Sequence, residues 1–525
     1  MQNVAAGRGL LGDGVAARVM YTGASGALVQ ALGQRLGVEA LQHIPARRER
    51  RIELDTIERS LERAGAVLAW ECQPQGGVLE WSAADGRRER AQLAAAPAFA
   101  WDLEPGPLRQ ALGAVTGARR LLALREVERS ERGLRRLDAQ GKTVARLSIL
   151  RERFRRPGSE GGWSAARTVI AAEPVRGYDV EHAELVQALE GLGTLRRASE
   201  QAPAARPAPG LPFPFDPPDP WPPVERVEPA ARALRRFALR QLELAQAQEA
   251  GLRADLDSEF NHDLRVAVRR ARALLGQLAG ALRPDEVDGL REELAWLGRA
   301  TGALRDLDVL LIELHGLERD LAVELEPLAR LLEERRAEER AVLLAALDSP
   351  RWRELQAAWR RWSESPAPDG GPTLGELCAE RIARRRRRVQ REGARLGPEA
   401  PAQALHALRI ECKKLRYVME CAGTAAACAE LERCVRALKG LQEVLGEFND
   451  ARLQGDELEA WAAPLAQREP RALLSLGRLL ERRRAAERAA RARFAERFAG
   501  FAAHGSRRDF AHLCSVLRGE GVAAS

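Results

Sequence analysis

Apolar residues recur at three- and four-residue spacing through most of the chain after residue 229. Stretches such as PAARALRRFALRQLELAQAQEAGLRADL place these residues on one side of a helix and charged residues on the other. Glycine and proline lie mainly between such stretches. The pattern predicts an all-α domain built from antiparallel helical bundles.

The first 200 residues follow a different pattern. Short runs with partial alternation of apolar and polar residues, such as VLAWECQ, VLEWSA and TVARLSILRERF, are separated by Gly or Asp turn signals. A helical stretch, IERSLERAG, lies among them. This combination predicts an antiparallel α+β domain.

A proline-rich segment separates the two regions. Residues 201–223 contain ten prolines, which can neither continue a helix nor pair in a central strand. We therefore predict an N-terminal domain at 1–200, a stiff linker at 201–228, a helical domain at 229–515 and a tail at 516–525. The loop SESPAPDGGP divides the helical domain into parts at about 229–365 and 372–515.

These two parts repeat each other. The stretch NHDLRVAVRRARALL, which begins at Asn261, corresponds to LHALRIECKKLRYVM at an offset of 144 residues. The offset pairs His262 with His406, Arg265 with Arg409, Arg269 with Lys413, Arg270 with Lys414, Arg272 with Arg416, Gly302 with Gly446 and Asp306 with Asp450. Because one register holds across two blocks, we interpret the helical domain as a duplicated unit.

The first repeat predicts a helix with a basic face. At about 100° per residue, one quarter of its circumference holds His262, Arg265, Arg269 and Arg272. No acidic residue lies between Asp263 and Asp285, so these arginines lack the carboxylate partners that usually neutralise a helix face. Such a face indicates a polyanionic partner. A merely solvated face is the alternative, which the matching residues of the second repeat weaken.

The residue types indicate which polyanion this is. Arginine holds phosphate oxygens through two parallel hydrogen bonds, while lysine and histidine add charge and donors. Nucleic acid usually brings stacking aromatic side chains, and Tyr417 is the only aromatic residue beside either basic face. A flexible polymer of phosphates fits better than nucleic acid or an anionic membrane surface, which stay open as alternatives.

Composition adds constraints on location. The net charge is +8, and seven scattered cysteines form no CxxC pair, so neither a zinc site nor a disulfide framework is indicated. No run approaches the ~18 apolar residues of a membrane span. We expect a protein of the reducing cytoplasm with no membrane insertion.

Four motifs of the helical region, in order, resemble the CHAD family, whose name stands for a conserved-histidine α-helical domain. They are NHDLRVAVRRARALL, GALRDLDVLL, LHALRIECKKLRYVMEC and LQEVLGEFNDARL, within roughly 229–515. The resemblance implies two helical bundles related by a pseudo-twofold axis. Between them it implies a basic groove that binds inorganic polyphosphate.

Carried onto this sequence, the resemblance implies a set of polyphosphate contacts. They are His262, Arg265, Arg269, Arg270, Arg272, His406, Arg409, Lys413, Lys414 and Arg416, with Tyr417 beside them and Arg305 and Lys439 as weaker candidates. Asp306 and Asp450 are given structural roles, either orienting arginines or capping helical turns. The arginine run at 384–388 is expected to line or flank the groove, with a solvated helix face as the alternative.

The N-terminal region resembles the CYTH domain, the triphosphate tunnel fold, which often precedes a CHAD domain. The segment RIELDTIERSLERAGAVLAWE carries the DT pair of that family, and ALREVERSERGLRRLD and VARLSILRERF follow in suitable order. The ExExK motif of active tunnel enzymes is missing near the N-terminus. Trp70 and Glu71 stand where the family has basic residues. We predict a degenerate CYTH-like domain without catalysis or a cofactor.

Two enzymatic alternatives remain. His262 and Asp263 with Asp306 or Asp308 would form a metal phosphohydrolase site, although the second repeat has alanine in place of Asp263. Glu126 and Glu128 would place two carboxylates on one strand face of a triphosphatase or cyclase. The preferred hypothesis is a non-catalytic polyphosphate binder of the cytoplasm, associated with polyphosphate granules.

Overall fold

The computed structural model describes residues 19–23, 28–36, 41–159, 161–198, 211–278, 281–282, 284–317, 324–368, 370–397, 399–426 and 428–520. The chain forms two compact units, Met1–Phe215 and Asp216–Ser525. The division falls inside the segment that we predicted as a linker.

The first unit is an α+β fold, as predicted. Its described strands are β1 (Val19–Gly23), β2 (Gln42–Asp55), β3 (Val67–Gln73), β4 (Gly76–Ser82), β5 (Arg88–Leu93), β6 (Leu122–Leu137), β7 (Thr143–Arg155), β8 (Arg167–Glu173) and β9 (Leu195–Ala198). They form one antiparallel sheet in the order β5-β4-β3-β2-β6-β7-β8-β1-β9. Its described helices are α1 (Leu28–Leu36), α2 (Ser60–Arg63), α3 (Pro107–Thr116) and α4 (Asp179–Glu190).

The two faces of this sheet differ in chemistry because successive side chains of a strand point to opposite sides. One face packs against the helices through buried residues such as Leu54, Leu79 and Ile170. The opposite face carries charges in register, with Glu49 opposite Arg129. This alternation is the period-two pattern that predicted the strands.

The second unit is all-helical, as predicted. Its described helices are α5 (Ala230–Arg253), α6 (Glu259–Gln277), α7 (Pro284–Ala300), α8 (Gly302–His315), α9 (Glu326–Asp348), α10 (Pro350–Glu364), α11 (Leu374–Gly393), α12 (Ala402–Ala425), α13 (Ala429–Ala460), α14 (Ala462–Arg468), α15 (Ala472–Ala502) and α16 (His504–Arg518). Helices α5 and α6 pack together in the first repeat, and α11 and α12 pack together in the second.

The starts of the two repeats bond to each other reciprocally. The N–H of Ala230 donates to the carbonyl oxygen of Pro372 at 3.0 Å. The N–H of Leu374 donates to the carbonyl oxygen of Glu228 at 2.8 Å. The two donors, Ala230 and Leu374, are 144 residues apart, and so are the two acceptors, Glu228 and Pro372. Each repeat therefore gives to the other the same bond that it receives, as a twofold axis requires. The pseudo-twofold axis therefore passes between the first residues of α5 and α11.

A leucine cluster joins the two repeats on another side. Leu311 and Leu332 from α8 and α9 belong to one buried cluster with Leu458 and Leu476 from α13 and α15. Burying each of these side chains contributes about 1.5–3 kcal/mol, so the cluster holds the repeats together as one unit. Helices α6 and α12 also contact each other.

Part of the proline-rich segment packs onto the helical unit. The ring of Trp221 lies 5.5 Å from the ring of Phe237, which belongs to α5, in an edge-to-face arrangement. Gln241 of the same helix donates a hydrogen bond to the carbonyl oxygen of Pro220 at 2.8 Å. The end of the predicted linker therefore belongs to the same compact unit as the helices, Asp216–Ser525.

Candidate anion-binding pocket

A pocket of about 650 Å³ lies between α6, α7 and α12, and we call it the α6–α12 pocket. Its charged lining consists of Arg269, Arg272, Arg291, Lys413 and Lys414 with Asp288 and Glu292. Both repeats contribute cations to it, so a single anion in this space would contact both halves of the helical unit.

Arg269 and Lys413 stand at equivalent positions of the two repeats and line this pocket together. Burial, followed by the nearby charges of Arg409 and Arg269, lowers the pKa of Lys413 to about 8. Within the described ranges neither the Arg269 side chain nor the Lys413 side chain forms a hydrogen bond or an ion pair, and the buried Nε of Arg269 lacks an acceptor. Two half-buried cations thus face one space without a bonded carboxylate.

Arg272 adds a third cation to this space. Its side chain is exposed and has no ion pair in the part of the chain that the structure describes. Its guanidinium lies beside α7. If Gly298 of that helix were replaced by alanine, the added Cβ would lie 3.4 Å from Nη1 of Arg272. Arg291, in contrast, is paired with Asp288 at 2.9 Å. The cations available to a ligand are therefore Arg269, Arg272 and Lys413.

Arg265 serves the protein backbone. Its Nη1 donates to the carbonyl oxygen of Gly298 at 2.7 Å, next to the break between α7 and α8. The last carbonyl groups of a helix lack partners within that helix, and this arginine satisfies one of them. Burial lowers the pKa of Arg265. In the second repeat α13 runs through the equivalent position, and Arg409 instead pairs with Asp450 at 3.1 Å.

The two repeated histidines lie outside the α6–α12 pocket. Nδ1 of His406 is 2.5 Å from Oδ1 of Asn449, which is buried on α13. His406 and Arg409 therefore attach α12 to two consecutive residues of α13. His262 is half-buried near the start of α6.

Arg270 and Arg416 share one carboxylate. Glu420 lies 3.8 Å from Arg270 and 3.2 Å from Arg416, so it links α6 to α12. The guanidinium of Arg270 also lies 5.6 Å from the ring centre of Trp221 in the proline-rich segment. Arg416 lies over Tyr417, whose buried ring lines the α6–α12 pocket.

Lys414 lines the pocket but is already paired. Its Nζ lies 2.7 Å from the buried carboxylate of Glu411. The same carboxylate is 2.9 Å from Arg385 and 3.5 Å from Arg388, both in the arginine run of α11. One carboxylate thus connects the pocket to α11.

The two weaker candidates lie elsewhere. Arg305 pairs with Glu259 at 3.2 Å, and its charge acts on Asp306 together with that of Arg265. Lys439 is an exposed residue of α13, 3.8 Å from Glu443 on the same helix. Neither lines the α6–α12 pocket.

The carboxylate proposed for a metal site is bound to an arginine. Asp308 is buried, and it accepts a hydrogen bond from Arg336 at 2.7 Å. Arg336 also donates to Asp255 at 2.8 Å. Among the described residues, no group of three or more His, Cys, Asp or Glu side chains could hold a metal ion.

The family of the helical region follows from its sequence. Residues 236–459 match the family model of the CHAD domain. These residues are a CHAD domain. No curated protein matches the chain. No helix in the described parts of the chain is long and apolar enough to cross a membrane.

Three solved structures are similar to parts of the chain. The CHAD domain from the plant Ricinus communis is 26% identical, with a TM-score of 0.48, and the match covers 56% of this chain and 98% of that one. PptA from Streptomyces chartreusis is 21% identical, with a TM-score of 0.38 and coverage of 52% and 98%. The putative adenylyl cyclase HpAC1 from Hippeastrum, described with a dominant triphosphatase activity, is 14% identical, with a TM-score of 0.24 and coverage of 36% and 91%.

In the unit before the CHAD domain, the DT pair has a structural role. The carboxylate of Asp55 accepts hydrogen bonds from the backbone N–H groups of Thr56, Leu61 and Glu62 at 2.7, 2.9 and 2.9 Å. It thereby fixes the turn between β2 and α2. Trp70 is buried against the helices, and Glu71 lies on the charged face of the sheet, in a cleft of about 520 Å³.

The two glutamates considered for catalysis are paired with arginines. Glu126 lies 2.5 Å from Arg155, and Glu128 accepts a hydrogen bond from Arg153 at 2.9 Å. Arg153 holds the pKa of Glu128 below its usual value. Both carboxylates are therefore neutralised by the neighbouring strand β7.

Among the cations that line the pocket, Arg291 was not predicted from the sequence. Arg291 lies on α7, and its equivalent in the second repeat is Val435, so the repeat gave no signal for it. Its position depends on how α7 packs against α6, which no local pattern encodes.

Proposed function

We propose that the CHAD domain binds inorganic polyphosphate without catalysis, and that the α6–α12 pocket is the centre of contact. The observation that carries this proposal is the convergence of Arg269, Arg272 and Lys413 on one space, with no ion-pair partner for any of them among the residues that the structure describes. The CHAD family match supports the same ligand class, as the sequence motifs implied.

The electrostatics of the pocket favour an anion with several charges. Lys413 has a pKa near 8 because burial and neighbouring cations disfavour its charged form. A phosphate group between Lys413 and Arg269 would reverse both effects by supplying negative charge and hydrogen-bond acceptors. The binding energy of such an anion includes relief of this repulsion.

A second pocket of similar size is less suited to phosphate. It has a volume of about 700 Å³ and lies between α13 and α15. Its charged lining consists of Glu443, Glu447, Asp450, Arg483 and Arg493. Carboxylates outnumber arginines there, and Arg493 is already paired with Glu447. Charge therefore selects the α6–α12 pocket.

The aromatic residues near the pocket favour a chain of phosphates over nucleic acid. Tyr417 is 5% exposed, and the half-buried ring of Trp221 already contacts Phe237 edge to face and lies 5.6 Å from the guanidinium of Arg270. Both rings are therefore poor platforms for stacking a base. A protein with this activity would act in the cytoplasm, where it would associate with polyphosphate granules.

The discriminating experiment is a titration of the full chain with polyphosphate and with single-stranded RNA of matched charge at one salt concentration. The proposal predicts tighter binding of polyphosphate. Equal or tighter binding of RNA would contradict it and would favour a general nucleic-acid binder.

A further inference from the structure

Helix α11 carries a dense basic face in the second repeat. Within an arc of about 120°, at ~100° per residue, this face holds Arg381, Arg384, Arg385, Arg388 and Arg391, and we call it the α11 arginine face. Arg386 and Arg387 fall outside this arc, and Arg386 lies over the ring of Phe510. The face extends for about 15 Å, at 1.5 Å per residue.

This face is continuous with the α6–α12 pocket. Glu411 is 3% exposed and lies within 3.5 Å of Arg385, Arg388 and Lys414. Lys414 lines the pocket, while the two arginines belong to the α11 arginine face. Arg388 also pairs with Glu392 of the same helix at 2.7 Å, so three cations and two carboxylates leave a net positive charge at this junction. A polyanion leaving the pocket therefore meets no negatively charged barrier there.

Two residues of the face are available to a ligand. Arg384 and Arg391 are exposed, and within the residues that the structure describes they form no hydrogen bond or ion pair through their side chains. Unpaired guanidinium groups on one helix face repel each other, so the face gains from an external anion.

The first repeat lacks this arrangement. The positions of α5 equivalent to Arg384, Arg385, Arg388 and Arg391 are occupied by Arg240, Gln241, Leu244 and Ala247. Arg240 is paired with Glu243 at 3.0 Å. Because α5 and α11 are equivalent helices of a duplicated fold, folding does not require the basic face. The asymmetry indicates a binding role restricted to the second repeat.

We propose that the α11 arginine face is a second contact surface for a long polyphosphate chain, engaged by the part of the chain that leaves the α6–α12 pocket over Glu411. This inference rests on the proposed function of the pocket. It makes the protein selective for chain length, because a short phosphate oligomer fills the pocket without reaching α11.

The test compares two ligands, tripolyphosphate and long-chain polyphosphate, on the full-length R384Q/R391Q variant. We expect the affinity for the long chain to fall by roughly ten-fold, and the slope of log affinity against log salt to become shallower by about 1.4, at ~0.7 for each lost contact. The affinity for tripolyphosphate should stay unchanged. The matched control is R330Q/R471Q, which removes two exposed arginines from a surface that also carries Glu324, Glu326 and Glu469.

The outcomes separate the two proposals. Suppose that the wild-type protein binds both ligands. If R384Q/R391Q then changes neither affinity, or lowers both equally, the α11 arginine face is refuted as a second contact surface, while the proposal for the pocket stands. If wild-type protein binds neither ligand, the proposed function itself is refuted and the α11 surface falls with it. A loss confined to the long chain, absent in the control variant, supports the α11 surface.

Discussion

Arg269 and Lys413 are copies of one ancestral position, and the fold directs both into the same pocket. Their charges repel, and within the described residues neither has an ion pair. Because the repeats meet beside this pocket, one cationic position per repeat places two positive charges there. The pseudo-twofold arrangement thus creates an anion site from a sequence that each repeat carries once.

The first prediction concerns salt. If Arg269, Arg272 and Lys413 each contact phosphate, a plot of log affinity against log salt should have a slope of roughly −2 or steeper, at ~0.7 for each contact. The R272Q variant should make this slope shallower by about 0.7. The control is R436Q, which removes an exposed arginine outside the pocket. A slope near zero would mean that polyphosphate is held by uncharged contacts.

The second prediction concerns pH. With a pKa of about 8, Lys413 is fully charged at lower pH and loses its proton as the pH rises through that value. Polyphosphate affinity should therefore fall as the pH rises through 8. Binding near this pH should also take up protons, detectable by calorimetry in buffers of different ionisation enthalpy. The K413R variant keeps its charge, so its affinity should not fall in this range.

The same group affects stability with a defined sign. The pKa of Lys413 is 10.5 in the unfolded chain and about 8 in the folded protein. Between these values the unfolded state binds more protons, so the contribution of Lys413 to the free energy of unfolding rises with pH. Well below pH 8 Lys413 is charged in both states, so the cost of burying its charge lowers the free energy of unfolding by the full amount. In K413M this pH-dependent part of the unfolding free energy should disappear.

The third prediction concerns the buried carboxylate of Glu411. The E411Q variant leaves Lys414 and Arg385 without their counter-charge, and we expect the free energy of unfolding to fall by about 2 kcal/mol. E392Q is the matched control, because within the described parts of the chain the Glu392 side chain pairs only with the exposed Arg388. Denaturant titrations of both variants make the comparison. Equal stability of the two variants would show that Glu411 does not organise this junction.

The fourth prediction concerns the N-terminal unit. Because Glu126 and Glu128 are paired with arginines of β7, the purified protein should release no phosphate from triphosphate in the presence of magnesium. Phosphate release is the measurement. Robust turnover that disappears in E126Q/E128Q would overturn the non-catalytic hypothesis and assign the activity to these carboxylates.

The sequence predicted the helical unit well because periodicity and a constant offset report on helix faces and duplication. It could not tell which cations are free. Arg270 is about 100° from Arg269 around α6, so it faces Trp221 rather than the pocket. Arg265 is bound to a carbonyl group at a helix break that the second repeat lacks. Such partners depend on tertiary packing, which a single helix pattern does not contain.

The most direct test of the central claim is polyphosphate binding by the R269E/K413E variant of the full chain. We predict a loss of affinity of more than about 100-fold, since each reversal removes an attractive contact and adds a repulsive one. R269Q/K413Q removes both positive charges without introducing negative ones, and it should weaken polyphosphate binding by about ten-fold. R330E/R471E reverses two exposed arginines outside the pocket and should bind like the wild type, and circular dichroism should report unchanged helicity in all three variants. Wild-type affinity in a folded R269E/K413E protein would contradict the account.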